Sequence, residues 1–212
     1  MIQIDDAGSG SLVGGTCIGA MRVETGEFFY DIIPIEYYNE TNFKNKLYLN
    51  ITRDISINLL KKLNVDKKEK ILICRGYMFD VFKDWLIDEG YNFESVIIKD
   101  PLQYKIEKTF EFYASSLGLP DKFLKYTKYP FHFHRLLRWV YADYKNRSLL
   151  CKRGWNSWKK YGSLNINISY KIIQDTKNYY CLKCGKDIQP GFVKVIEYVS
   201  NYPNTIYIHT NC

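Results

Sequence analysis

Four residues near the end of the chain have the types and spacing of a tetrahedral metal site. Cys181-Leu-Lys-Cys184 is a Cys-x-x-Cys pair, and His209-Thr-Asn-Cys212 follows after 24 intervening residues. Two thiolates on one tight turn can face the same ion, and the second pair completes a set of three cysteines and one histidine, which suits Zn²⁺. Because four protein ligands leave no open position for a substrate, we expect a structural zinc ion here.

The other three cysteines, Cys17, Cys74 and Cys151, stand alone in the sequence. Cys17 and Cys74 lie in apolar, strand-like runs, where a buried inert thiol is expected. A disulfide framework or free thiols are the alternatives to zinc. A disulfide framework needs an oxidising compartment, and no apolar secretory segment opens the sequence. We therefore expect zinc and a cytoplasmic location.

A second group of candidate residues is acidic and begins in a glycine-rich turn after the first predicted strand. Asp5 and Asp6 precede Ala-Gly-Ser-Gly, Asp100 ends the fifth predicted strand, and Glu107 or Glu111 follows on the next helix. Carboxylate oxygens suit Mg²⁺ or Mn²⁺, and two-metal phosphodiester hydrolysis needs several carboxylates around metals about 3.5–4 Å apart. Neighbouring residues of a regular strand point to opposite faces, so this pair needs a local twist or one dominant ligand.

The elements that must position these residues alternate in type along the first 120 residues. Strands are predicted at 1–5, 16–23, 27–35, 71–74 and 95–99, and helices at 45–63, 77–89 and 101–117. Thr25-Gly26 predicts an antiparallel hairpin between the second and third strands. The order β-β-β-α-β-α-β-α predicts an α/β fold with a mixed five-stranded sheet.

The segment 4–15 resembles the first motif of type 2 ribonucleases H, which reads Ile-Asp-Glu-Ala-Gly-Arg-Gly, and the element order is that of the ribonuclease H-like fold. The resemblance implies that Asp5 and Asp6 bind catalytic metals. It also implies a loop that approaches the nucleic-acid backbone, formed by Gly8, Ser9 and Gly10. Ser9 replaces the arginine of the family's motif.

The fourth strand departs from that family, because Ile73-Cys74-Arg75-Gly76 lacks the aspartate that the enzymes carry there. Two other interpretations of the acidic turn stay open. Aspartates favour turns beside glycines for purely structural reasons. Sugar-kinase and actin-like proteins share the fold core and bind nucleotide phosphate with a similar turn, although they normally use two such domains.

The positive charge of the chain is concentrated between residues 121 and 175. The net charge is +7, and this stretch holds 12 Lys and Arg against three Asp and Glu, so the remainder is slightly acidic. Such a stretch is typical of a nucleic-acid partner, because arginine binds phosphate and exposed aromatic rings stack on unpaired bases. The candidate residues are His134, Arg135, Arg138, Lys152, Arg153, Trp155, Lys159 and Lys160. A solvated helix face, with the tryptophans packed in a core, is the alternative.

Three segments follow from these patterns: a ribonuclease H-like domain at 1–120, a basic helical extension at 121–175 and a zinc-binding module at 176–212. No apolar run is long enough to span a membrane. A metal-dependent nuclease, with Mg²⁺ or Mn²⁺ as cofactor, is the favoured hypothesis. A non-catalytic module that binds nucleic acid or protein is the alternative.

Overall fold

The computed structural model describes residues 1–124, 129–174 and 179–212. These residues form two units, and each unit has its own core of buried apolar side chains. Unit 1 comprises Met1–Gly10 and Gly14–Tyr113, and unit 2 comprises Ser11–Val13 and Ala114–Cys212. Within the described ranges, no helix has the length and apolar character needed to cross a membrane.

Unit 1 is built on a five-stranded mixed sheet, which confirms the predicted α/β class. Its strands are β1 Ile2–Ala7, β2 Thr16–Arg22, β3 Phe28–Ile33, β4 Ile71–Cys74 and β5 Phe93–Val96. Their order is β3-β2-β1-β4-β5, with β1, β2 and β3 antiparallel and β1, β4 and β5 parallel. The turn between β2 and β3 contains Gly26 at a φ of +72°, which glycine adopts without strain. This sheet is compatible with a ribonuclease H-like fold.

Four helices accompany this sheet: α1 Glu40–Lys44, α2 Leu47–Lys62, α3 Asp80–Asp88 and α4 Leu102–Ser116, whose end from Ala114 belongs to unit 2. The predicted helix at 45–63 is therefore confirmed in its main part. It begins at Leu47 because Lys46 has a left-handed backbone, with a φ of 53°, and separates α2 from α1. Ile55 and Leu59 are buried in the unit 1 core, as their spacing predicts.

The fifth strand lies earlier in the chain than the apolar run indicated. It was expected at residues 95–99, but β5 ends at Val96, which pairs with Cys74 at the end of β4. Ile97 is exposed and Ile98 is buried, and neither belongs to a strand. Asp100 consequently follows the end of β5 by four residues instead of ending that strand.

Unit 2 combines short helices with a second sheet. The helices are α5 Asp121–Leu124, α6 Phe133–Ala142, α7 Tyr144–Arg147 and α8 Asn156–Tyr161. The strands β6 Asn167–Ile173, β7 Gly191–Val199 and β8 Pro203–His209 form an antiparallel sheet in chain order. The basic helical extension was expected at 121–175; its part at 125–128, and the expected boundary with the zinc-binding module at 175–176, lie outside the described residues.

Helix α6 supplies much of the unit 2 core. The apolar residues Phe133, Leu137, Val140 and Tyr144 recur at helical spacing, and of these Leu137 and Val140 are fully buried. Trp139 is also fully buried, whereas Tyr144 is 36% exposed. A buried tryptophan side chain contributes strongly to a core. Helix α6, which carries part of the basic stretch, is therefore packed into the core of unit 2 rather than surrounded by solvent.

Candidate metal centres

The four predicted zinc ligands form one cluster in unit 2. The sulfur atoms of Cys181, Cys184 and Cys212 and a ring nitrogen of His209 all lie within 4.8 Å of one another. Cys181 is buried, while Cys184 and Cys212 are exposed. All six cysteines of the chain are free thiols. The cluster can therefore bind a metal such as zinc.

Local backbone geometry brings the first pair of ligands together. The amide of Gly185 donates to the carbonyl of Cys181 over 2.7 Å, and the amide of Cys181 donates to Lys186 over 2.8 Å. Gly185 has a φ of +76°, a left-handed conformation that allows the chain to reverse directly after Cys184. The second pair follows the end of β8, where the amide of Cys212 donates to the carbonyl of His209 over 3.1 Å.

The imidazole of His209 is oriented as a ligand. Its Nδ1 lies 3.3 Å from the sulfur of Cys184 and 3.8 Å from that of Cys212, while its Nε2 lies 3.2 Å from the carbonyl oxygen of Asp187. A proton on Nε2 would be donated to that carbonyl, which leaves Nδ1 to face the metal. Metal-binding histidines commonly make this second hydrogen bond, because it holds the ring and the tautomer.

The thiol of Cys184 is prepared for deprotonation. Burial acts against the thiolate, but hydrogen bonds from the Lys186 amide and from Cys181, Cys212 and His209 outweigh it and lower the pKa of Cys184 to about 7. The thiolate is the form that binds metals. With three thiolates and a neutral imidazole, a bound Zn²⁺ would give the centre a net charge of −1.

A second cluster lies in unit 1 and contains a residue that the sequence analysis treated as inert. Oxygen atoms of Asp5 and Asp6 and the sulfur of Cys74 lie within 4.8 Å of one another. Strands β1 and β4 are parallel neighbours, and Asp5 and Cys74 each come one position after the paired residues Ile4 and Ile73. The carboxyl ends of adjacent parallel strands thus bring these groups together.

The side chain of Asp5 explains how two consecutive carboxylates can converge. Its Oδ1 accepts a hydrogen bond of 2.9 Å from the amide of Asp6, so it turns towards the next residue of the strand. Burial raises the pKa of Asp5 to about 6, despite hydrogen bonds from the Cys74 thiol and the Asp6 amide that lower it. Burial also raises the pKa of Cys74 to about 11, and the charge of Asp5 adds to that increase. A metal ion that binds here must displace protons.

The structure does not bring Asp100 into this cluster. Asp100 is exposed, and its Oδ1 accepts a hydrogen bond of 3.1 Å from the amide of Tyr104 at the start of α4. Glu107 is not part of the cluster either, although its charge adds to the raised pKa of Asp5; it is exposed and accepts a hydrogen bond from Gln103. Glu111, the other helix candidate, pairs with Lys108. The third member of the group is Cys74 instead.

The glycine loop after β1 has a packing role that its sequence did not indicate. Gly8 has a φ of +84°, and a Cβ atom at this position would lie 2.1 Å from a ring carbon of Phe110. A Cβ at Gly10 would meet no atom within 4 Å. Ser9 lies between them and is half-buried. Close packing therefore accounts for Gly8, whereas Gly10 is exposed and open to solvent.

Several residues of the predicted nucleic-acid track are used inside unit 2. Arg135 donates to the carbonyl of Phe123 and lies over its ring, and Arg138 donates to Thr205 over 2.9 Å. The ring of His134 packs against Tyr161. These contacts leave fewer donors for phosphate than the sequence suggested.

Lys152 differs most from the expectation, because its side chain is fully buried and lies over the ring of Trp155. Trp155 is half-buried and packs against the unit 2 core. Arg153, Lys159 and Lys160 are exposed, as is Arg138. The amphipathic pattern could not reveal which lysine turns inward, because that depends on tertiary packing.

No protein-family model matches this chain, and the search of curated proteins finds no match. The function must therefore be inferred from the two clusters themselves. The sequence analysis missed Cys74: its place at the end of the fourth strand is visible in the sequence, but its proximity to Asp5 depends on the register between β1 and β4.

Proposed function

We propose that this protein is a metal-dependent nuclease, with the catalytic site in unit 1. The observation that carries the proposal is the cluster of Asp5, Asp6 and Cys74 at the carboxyl ends of β1 and β4. A divalent ion held there by Asp5, Asp6 and Cys74 would supply a Lewis acid for a phosphoryl oxygen and a hydroxide nucleophile at neutral pH. Glu107 adds negative charge on the α4 side and favours cation binding.

Space at the cluster fits this role. Gly76 follows Cys74 by two residues, and a Cβ atom there would lie 3.7 Å from the sulfur of Cys74 and 3.9 Å from Oδ1 of Asp6. The missing side chain keeps this side of the cluster open to an ion. Arg75 is exposed directly after β4, and its guanidinium is suited to binding a substrate phosphate.

The thiol distinguishes this site from an all-carboxylate site and determines its metal preference. Thiolate is a soft ligand that favours zinc, cobalt and similar transition metals, whereas Mg²⁺ prefers oxygen. We therefore propose that Mn²⁺, Co²⁺ or Zn²⁺ supports activity better than Mg²⁺. The site would then depend on a reducing environment such as the cytoplasm, because a disulfide would remove the ligand.

In unit 2, we propose a structural zinc ion held by Cys181, Cys184, His209 and Cys212. The hydrogen bond between His209 and Asp187 and the lowered pKa of Cys184 support it. Metal analysis should give zinc in the purified protein, and Cys181→Ser should lower the zinc content. Protein without zinc, or zinc content unaltered by Cys181→Ser, would refute this site.

Cleavage of RNA–DNA hybrid, duplex and branched substrates with Mn²⁺ tests the nuclease proposal. Asp5→Asn and Asp6→Asn should each lower the rate on the order of 100-fold or more, since each removes a metal ligand. Asp31→Asn is the matched control, because Asp31 also binds the next backbone amide (2.8 Å) but is exposed on β3. Activity that survives both ligand substitutions would overturn the proposal.

A second candidate function is a binding module without catalysis. The position of Asp100 outside the cluster favours it, because the site then has fewer carboxylates than two-metal hydrolysis usually requires. Arg153, Lys159 and Lys160 would supply the phosphate contacts in that case. Binding that weakens steeply with salt, without cleavage under any metal, is the result that would support this function.

A further inference from the structure

A buried arginine in unit 2 donates hydrogen bonds to the turn that carries the first two proposed zinc ligands. Arg147 ends α7 and is 8% exposed. Its Nη1 donates to the carbonyls of Trp139 and Leu182 over 2.7 and 2.8 Å, and its Nη2 donates to the carbonyl of Lys183 over 2.7 Å. The guanidinium also lies 3.9 Å from the centre of the Trp139 ring.

Two of these three carbonyls belong to the residues between Cys181 and Cys184. The orientation of the peptide groups at Leu182 and Lys183 determines where the two sulfur atoms point, because those groups form the turn of the Cys-x-x-Cys pair. Arginine holds two neighbouring carbonyls in a fixed geometry, since its donors form a rigid planar fork. Trp139 in turn fixes the guanidinium, because that side chain is fully buried in the unit 2 core.

The charge of Arg147 is also matched to a metal centre. All three hydrogen bonds go to neutral carbonyl oxygens, and burial lowers the pKa of Arg147 to about 10, with the charge of Asp143 acting in the opposite direction. The side chain therefore remains a cation at neutral pH. A buried cation is costly unless an opposite charge is nearby; Asp143 supplies one such charge, and a zinc ion with three thiolates would add a charge of −1.

We propose that Arg147 is a positioning residue for the zinc site, which holds the Cys181–Cys184 turn ready for metal and balances the charge of the loaded centre. The inference rests on the structural zinc proposed above. It predicts that zinc affinity depends on a side chain that is not itself a ligand, as is common for groups that support metal ligands.

The test is the zinc affinity of the full-length protein, measured by competition with a chromophoric chelator. Arg147→Met should weaken zinc binding about 10- to 100-fold, the range typical of residues that orient metal ligands. Arg147→Lys keeps the charge but not the fork, so its affinity should lie between those of wild type and the Met variant. Arg138→Met is the control, because Arg138 is exposed and donates to Thr205 in the same unit. The control should bind zinc like wild type.

A second measurement separates positioning from ordinary structural support. Zinc stabilises the fold by an amount that rises with the logarithm of its affinity, so the difference in unfolding free energy with and without zinc reports on binding. This zinc-dependent difference in unfolding free energy should be smaller for Arg147→Met than for wild type. If the Met variant does not fold, the same comparison is made with Arg147→Lys, which should also show a smaller difference. A variant that loses equal stability with and without zinc, or that binds zinc as tightly as wild type, would overturn the role of Arg147. Wild type that binds no zinc would instead remove the zinc site itself.

Discussion

Because Asp5 is buried, we predict that its ionised carboxylate lowers the stability of the folded protein. Asp5 is 9% exposed, and burial raises its pKa from 3.8 to about 6. Each pH unit of such a difference corresponds to about 1.4 kcal/mol, so the ionised side chain costs the fold about 3 kcal/mol. Asn has the same shape without the charge. Asp5→Asn should therefore stabilise the protein at neutral pH by up to about 3 kcal/mol when the unit 1 site holds no cation.

The sign of the pH dependence follows from the direction of this shift. Because the pKa of Asp5 is higher in the folded state, the folded state favours the protonated form. The contribution of the protonated Asp5 side chain to the unfolding free energy is fully present below pH 3.8 and is lost as the pH rises through about 6. The difference in unfolding free energy between Asp5→Asn and wild type should therefore be small at pH 4 and reach its full size near pH 7.

Urea denaturation at several pH values measures this gap. The protein should carry one equivalent of zinc, in buffer without other divalent cations, so that only unit 2 is loaded. Asp31→Asn is again the control, and it should change the unfolding free energy by no more than about 0.5 kcal/mol at any pH. A gap that does not change with pH, or an Asp5→Asn variant less stable than wild type at pH 8, would refute the reasoning.

Three further predictions concern other parts of the two units. Cys74→Asp should raise the ratio of Mg²⁺-supported to Mn²⁺-supported cleavage, because it makes the ligand set all-oxygen; an unchanged ratio in a rate assay would contradict this. Gly8→Ala should lower the unfolding free energy by about 1–3 kcal/mol, because of the positive φ and the clash with Phe110, whereas Gly10→Ala should have little effect. Zinc chelation should remove hydrogen-exchange protection from β7 and β8 but not from β1; equal loss in all three strands would argue against a local role of the metal.

The sequence was most informative where local signals agree with the fold. Thr25-Gly26 predicted the hairpin of β2 and β3, and the repeat through Ile55 and Leu59 predicted α2, because both depend on neighbouring residues. The end of β5 was misplaced, since the apolar pair Ile97-Ile98 resembles a strand while pairing with the short β4 ends at Val96. Asp100 was predicted to approach β1 on the basis of that strand end, and it lies outside the cluster of Asp5, Asp6 and Cys74.

The residues of the two sites could be predicted from the sequence to different degrees, because only some of them are brought together by local structure. The zinc ligands were predictable because the Cys-x-x-Cys turn is a local pattern. Cys74 required the register between β1 and β4, which no local pattern specifies. The burial of Arg147 and Lys152 was not predictable either, because charged residues are rarely buried and only the surrounding packing reveals such cases.

Cobalt titration tests most directly whether Asp5, Asp6 and Cys74 form a metal site. Protein that already holds one equivalent of zinc should bind further Co²⁺ and develop a sulfur-to-cobalt charge-transfer band. Cys74→Ser should abolish that band, and Asp5→Asn should weaken the binding. A wild-type protein that binds no cobalt beyond the zinc site, or a band that persists in Cys74→Ser, would contradict the account.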